Sequence, residues 1–379
     1  MRIALVTRRY PPLIGGAERV LSYLGPALAA EGHEVTVLTA RTDPSTPAVE
    51  VGAVAGPGSF RVERLATSRL RFVGTYRYVR GLTRWFGRHR VDLAYVSMLK
   101  HDAYAVIGAG ERQGFPVVLR PEGAGLTGDI AWQGWGRGGR AIARRCHRAA
   151  ALVSISPAVR GELEADGYAP DLIHDLPNGV PVPAVPWARP AGTEGRLDAV
   201  AVGRLSAEKG ADTLLAAWPS VSQAIPGARL TLLGEGPARP RLEAMVRDLD
   251  LGASVSLPGA AADPSILLRR STLFVLPSRE EGMSIALLEA MALGIPLVAT
   301  AIPGNRALIT PGAHGALAPP DDPAGLARAI VTHHRDPTAP DQGEAARARV
   351  AADYSIAAVA RRHVAVFGSL VTHFSTTKV

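Results

Sequence analysis

The feature that most restricts this chain is an alternation of short, apolar runs with longer segments of helical spacing. In the first half, Arg2–Thr7, Glu34–Thr39, Asp92–Val96, Pro116–Leu119 and Ala151–Ile155 read as strands. Leu197–Val202, Arg229–Leu233, Ser254–Leu257, Leu273–Leu276 and Ile295–Thr300 repeat the rhythm in the second half. Ala17–Ala30, Ala103–Gln113 and Ile130–Ala149 read as helices between them. The strand runs lack polar alternation, as expected for strands buried on both faces. Such alternation folds into parallel sheets with helices on both sides. The predicted class is α/β, with two doubly wound, Rossmann-like parallel-sheet domains.

The division falls in PNGVPVPAVPWARPAG, residues 177–192, where five prolines within 14 residues make a stiff, non-helical connector. This assigns 1–177 to a first domain and 178–355 to a second, with a last helix within 356–379 expected to return to the first. Open α/β sheets bind ligands beyond the carboxyl ends of their strands, so both domains are expected to turn those ends toward a shared cleft.

Composition removes several classes. With 379 residues, 47% of them apolar, the chain supports two cores and is not a disordered sequence. No apolar run approaches the ~18 residues of a membrane span. MRIALVTRRY is broken by charge after six residues and reads as a first strand, not a secretory leader. Cys146 is the only cysteine, which excludes an internal disulfide and a cysteine-based zinc site and points to the cytoplasm. The net charge of +8 is concentrated in residues 1–185, where 23 Lys+Arg face 16 Asp+Glu. That half suits a phosphorylated substrate or an anionic surface, or reflects arginine-rich codon usage.

Four motifs carry chemistry. In YPPLIGGAERV, Gly15 and Gly16 follow the first strand and open a helix. They allow a ligand close to the backbone at a helix N-terminus, or form an ordinary turn. In VGRLSAEKG, Arg204 and Lys209 occupy a strand-to-helix loop. One forked and one compact cation suit a diphosphate; the alternative is solvated loop cations or a Lys209–Glu208 pair. GEGPARPRLE, residues 234–243, resembles part of a dinucleotide fingerprint but has Arg239 at the third glycine position. In PSREEGMSIALLEAMALGIP, Glu289 interrupts an apolar helix and Glu281 precedes it in a loop. An unpaired buried carboxylate is costly, so Glu289 lies at the edge of burial or meets a polar partner. Two carboxylates there suit vicinal hydroxyls, as on ribose or a sugar. Asp248-Leu249-Asp250 matches a metal-binding D-x-D pattern but falls at a helix end and reads as solvated.

In order and spacing these motifs, with VSISPAVRGEL at 153–163 and LPNGV at 176–180, resemble the retaining glycosyltransferases of family four, across nearly the whole chain. The resemblance implies a GT-B fold and a hexosyltransferase. A nucleotide diphospho-sugar, UDP-linked before GDP-linked, would bind mainly to the second domain, and the acceptor to the first. It places Arg204 and Lys209 on the diphosphate, Glu289 on the ribose and Glu281 on the donor sugar. It makes the Met283, Ser284 and Ile285 backbone donors to sugar and phosphate, and Gly15 and Gly16 a loop over the phosphates. It implies no metal cofactor, because cations and helix N-termini stabilise the leaving diphosphate. Two departures stand out. Where relatives carry a histidine after a first-domain strand, VVLRPEGAG places Glu122, assigned here to a donor or acceptor hydroxyl in the catalytic set. Where relatives often carry a glutamate, AIPGNRALI has Ala307.

On the acceptor side, Arg77, Arg80, Arg84 and Arg88 form one stripe beside an arc of Tyr76, Val79, Leu82 and Phe86. A second cluster comprises Arg137, Arg140, Arg144, Arg145 and Arg148. These suit a carbohydrate or lipid-linked acceptor or the anionic inner face of a membrane, or are simply solvated. No nucleic-acid module accompanies the charge. The pathway expected is polysaccharide, glycolipid or glycoconjugate synthesis. The competing readings are a GT-B sugar-nucleotide epimerase and a non-catalytic sugar-nucleotide-binding protein at the membrane surface.

Overall fold

The computed structural model describes residues 1–13 and 15–376. The chain divides into two compact units. The first holds an eight-stranded sheet: β1 (Arg2–Val6), β2 (Glu34–Arg41), β3 (Val49–Gly52), β4 (Ser59–Ala66), β5 (Leu93–Ser97), β6 (Val117–Arg120), β7 (Ala151–Ser154) and β8 (Ile173–Asp175). Their order is β3-β4-β2-β1-β5-β6-β7-β8, and every pairing is parallel except β3 with β4. The second unit holds β9 (Asp198–Val202), β10 (Arg229–Leu233), β11 (Val255–Gly259), β12 (Leu273–Leu276), β13 (Leu297–Thr300) and β14 (Ala316–Ala318). Their order is β11-β10-β9-β12-β13-β14, parallel throughout.

The central strands are the apolar runs of the sequence. β5, β6, β7, β12 and β13 are buried at every position, because helices cover both faces. In the second unit Trp218, fully buried on the helix Ala211–Ala224, anchors the core with Leu214, Leu230 and Leu273. The helix Ile356–Thr376 belongs to the first unit. There His363 and Phe367 pack their rings on Tyr95 of β5.

Two expectations need correction. Ile130–Ala149 is not one helix: it is Asp129–Trp135 and Gly139–Cys146, separated by a turn. Gly134, Gly136, Gly138 and Gly139 crowd this stretch, and Gly138 adopts a left-handed φ of 74°. Glycine there costs more helix stability than the apolar spacing supplies. The proline-rich stretch is fastened along the second unit. Arg347 and Arg269 donate to the Pro183 and Val185 carbonyls, and the Trp187 indole donates to Ser271, all within the second unit. On the helix Arg71–Phe86, Leu82 and Phe86 are core residues and not part of a surface arc.

Candidate active site

The clearest site in the second unit is built at the carboxyl ends of β10, β9 and β12, three adjacent parallel strands. Val202, Leu233 and Leu276 end these strands and line a recess of about 320 Å³, open mouth included, with Arg204, Lys209 and Ser278. Arg204 is exposed there, and among the described residues its side chain makes no ion pair. Lys209 closes a short 3-10 turn, Ala207–Lys209. Its Nζ donates to Glu281 Oε1 at 2.7 Å, and Ser278 Oγ donates to the same oxygen at 2.8 Å. The alternative pairing of Lys209 with Glu208 is not the one formed: the Glu208 carboxylate accepts from Ser206 Oγ at 2.5 Å.

Backbone shape makes the Lys209–Glu281 contact feasible. Gly210 has φ 65°, and a Cβ there would stand 2.0 Å from the Pro277 carbonyl oxygen. Only glycine lets the two loops approach so closely. Arg279 fastens the same junction. Its guanidinium reaches Asp212 Oδ1 at 2.7 Å, Thr213 Oγ1 at 2.9 Å and Asp321 Oδ1 at 2.5 Å, and its backbone N–H donates to the Glu208 carbonyl. Sequence reasoning passed over Arg279, because Asp212 and Asp321 lie at no fixed spacing from it. The GEGP turn is a brace as well: Leu205 N–H donates to the Glu235 carbonyl, and Ala238 N–H to that of Leu205. Arg239 is engaged by Glu235 and Glu243.

Glu281 is held from below. Its side chain is 8% exposed. Thr300 Oγ1 donates to the Ser278 carbonyl, and Asn305 Nδ2 donates to the Thr300 carbonyl at 2.9 Å. A Cβ on Gly304 would lie 2.5 Å from the Glu281 carbonyl oxygen. The short helix Pro303–Arg306, just before Ala307, therefore packs against the Glu281 backbone. Ser284 caps the helix Ile285–Leu293, its Oγ accepting from Leu287 N–H at 3.3 Å. Met283, Ser284 and Ile285 lie at the N-terminus, where backbone N–H groups lack intrahelical acceptors. Glu289 is half-buried on the same least-covered stripe as Ala286. It lies at the edge of burial. Asp248 ends the helix Arg239–Asp248, and Asp250 follows in a left-handed turn.

The first unit carries a second polar cluster, at the ends of β5 and β6. Glu122 Oε1 accepts from Ser97 Oγ at 2.5 Å, and Arg120 reaches Asn178 Oδ1 at 2.6 Å. Asn178 is the polar centre of the LPNGV motif. Asp129 accepts from the backbone N–H groups of Glu122 at 2.8 Å and Leu99 at 3.2 Å. Burial raises the Glu122 and Asp129 carboxyl pKa values, against the pull of Arg120 on one and Lys100 on the other. Gly15 and Gly16 stand at the start of the helix Gly16–Ala30, where the buried Glu18 meets Arg9 at 2.6 Å, a pair the sequence reading did not single out. Arg77, Arg80, Arg84 and Arg88 are exposed, distant in sequence from Glu122 but in the same unit.

Comparison with known proteins bears directly on this arrangement. Residues 14–182 match the family described as Glycosyltransferase Family 4, and residues 196–336 match Glycosyl transferases group 1. The glycogen synthase of Mycobacterium tuberculosis strain H37Rv is 30% identical over a 412-residue alignment covering 97% of this chain and 94% of that protein. Sucrose-phosphate synthase from Thermosynechococcus elongatus superposes with a TM-score of 0.82 at 23% identity, over 98% of this chain and 99% of that one. HepE of Anabaena, solved in complex with UDP-glucose, gives 0.78 at 19% identity, over 97% of this chain and 100% of that one. The chain belongs to the group 1, family-four glycosyltransferases and has their GT-B fold.

Proposed function

We propose that the chain is a retaining, metal-independent hexosyltransferase. It moves a sugar from a nucleotide diphospho-sugar, UDP-linked before GDP-linked, to an acceptor hydroxyl in polysaccharide, glycolipid or glycoconjugate synthesis. Residues 178–355 bind the donor, and 1–177 with the C-terminal helix bind a carbohydrate or lipid-linked acceptor. The observation that carries this reading is the Lys209–Glu281 contact beside the recess that Arg204 lines. A cation suited to diphosphate and a carboxylate suited to a sugar hydroxyl are held together at the carboxyl ends of parallel strands.

The chemistry follows from the residues. As the bond from the anomeric carbon to the diphosphate breaks, positive charge grows on the sugar and negative charge on the leaving oxygen. Preorganised donors aimed at that oxygen lower the barrier. Arg204 offers a planar fork to two phosphate oxygens, and Lys209 a compact charge. The N–H groups of Met283, Ser284 and Ile285 add the positive end of a helix dipole. Glu289 holds the ribose hydroxyls. Both bonds to Glu281 fall on Oε1, so Oε2 is the atom offered to a donor sugar hydroxyl. Glu122 accepts from a donor or acceptor hydroxyl, and Gly15 and Gly16 lie over the phosphates. The acceptor attacks the face from which the diphosphate leaves, and the departing phosphate oxygen takes the acceptor's proton. Glu281 then acts by hydrogen bonding, unlike the covalent carboxylate of retaining glycosidases.

The test is product stereochemistry. With a UDP-α-sugar and an acceptor hydroxyl, proton NMR of the new glycosidic linkage is expected to show the α configuration, formed equally well in the presence of EDTA. A β-linked product, or a rate abolished by EDTA and restored by a divalent ion, contradicts the reading.

A further inference from the structure

Two stretches of the first unit contain no aspartate or glutamate. Residues 69–90 carry seven arginines and residues 130–161 carry six. Arg145 and Arg148 pair with Glu111, and Arg160 with Glu164 and Asp175, whereas Arg77, Arg80 and Arg84 stand exposed. The helix Arg71–Phe86 divides its apolar side chains between two destinations. Tyr78, Leu82, Trp85 and Phe86 are buried in the core. Leu70, Phe72, Val73 and Tyr76 at its start are exposed, Phe72 by 63% and Tyr76 by 64%. The segment after β6 adjoins them: the Arg137 guanidinium lies over the Phe72 ring, 4.9 Å from its centroid. That segment exposes Leu126 by 86% and Trp135 by 69%. Exposed aliphatic and aromatic groups thus gather at the start of a helix whose outer stripe is Arg77, Arg80 and Arg84, with Arg137, two residues after Trp135, seated on them.

We propose that this patch seats the first unit on an anionic lipid surface. Trp135, Phe72 and Tyr76 enter the headgroup boundary, where amphipathic rings are favoured, and the arginines meet lipid phosphates. Charge complementarity selects this occupant: a neutral glycan would gain nothing from the arginine stripe, and Leu70, Val73 and Leu126 offer a glycan's hydroxyls no partner. The same segment is tied to the acceptor side, because Asp129, the first residue of the helix that ends at Trp135, accepts from the Glu122 and Leu99 backbones. The proposal rests on the transferase reading for its purpose, and names the surface at which the acceptor is met.

The experiment is flotation of the full chain with phosphatidylcholine vesicles, with or without phosphatidylglycerol. The wild type is expected to float only with the anionic vesicles. Combined Phe72→Ser, Tyr76→Ser and Trp135→Ser is expected to reduce the bound fraction about tenfold or more, with an unchanged melting temperature because all three side chains are exposed. Combined Arg77→Gln, Arg80→Gln and Arg84→Gln is expected to remove the salt-sensitive part of binding. Glu281→Gln is expected to float like the wild type while losing transfer, which separates failure of the membrane proposal from failure of the enzyme reading. Wild type that stays in solution with anionic vesicles overturns the proposal. So does an aromatic variant that floats undiminished, whether its loss appears instead in use of a soluble glycan or in self-association.

Discussion

Lys209 and Glu281 stand 72 residues apart in the chain and meet at 2.7 Å, Nζ to Oε1, with Ser278 Oγ on the same oxygen. The pair joins the loop after β9 to the loop after β12. It presents opposite charges side by side, one suited to the phosphate end and one to the sugar end of a donor.

Lys209→Ala removes the cation and leaves the Glu281 carboxylate with Ser278 alone. Loss of one preorganised charge at a leaving group costs on the order of 10²–10³ in kcat. Lys209→Arg is not expected to restore the rate, since a planar fork does not replace a compact ammonium. Steady-state kinetics with a soluble acceptor check both.

Gly304→Ala tests the support beneath Glu281. Its Cβ would be 2.5 Å from the Glu281 carbonyl oxygen, so one of the two loops must shift. A displacement of this kind is expected to reduce kcat by about 10²-fold. Donor-panel kinetics beside a melting curve would show whether activity falls further than stability.

Asp102 is predicted to cost stability at neutral pH. It is buried, its Oδ2 has no hydrogen-bond partner among the described residues, and burial lifts its carboxyl to about 6 despite Arg8 and Lys100, with Glu122 adding to the rise. The folded value exceeds the ordinary 3.8, so its stabilising contribution is present below 3.8 and lost as pH rises through about 6. Asp102→Asn is therefore expected to gain on the order of 2 kcal/mol at pH 8 and little at pH 4. Thermal melts at the two pH values measure the difference.

His363 has the opposite slope. Burial lowers its imidazole from 6.5 to about 4, with Nδ1 beside the Val359 carbonyl and Nε2 3.4 Å from the Tyr95 hydroxyl. Its contribution is full above 6.5 and is lost as pH falls toward about 4. His363→Leu is expected to flatten the loss of stability between pH 7 and pH 5, relative to wild type, in the same melts.

The central strands were legible because burial on both faces forces continuous apolar runs, as in LFVL of β12. The edges were not. β4 alternates buried Phe60, Val62 and Arg64 with less buried partners, and β3, paired antiparallel to it, is short and exposed. β8 and β14 have three residues each, too few to show a period. The loop motifs identified Arg204, Lys209 and Glu281 by residue type and order. They did not reveal that Lys209 reaches Glu281, because the approach depends on Gly210 passing the Pro277 carbonyl. Arg279 escaped notice for a related reason: its three side-chain partners are collected by the fold from two distant helix starts.

The most direct measurement is release of nucleotide diphosphate from a panel of UDP- and GDP-sugars, for wild type, Lys209→Ala and Glu281→Gln. The account predicts release by the wild type from at least one donor, with both variants reduced by about 10²-fold or more. Release from no donor, or variants that match the wild type on the donor it uses, would contradict it.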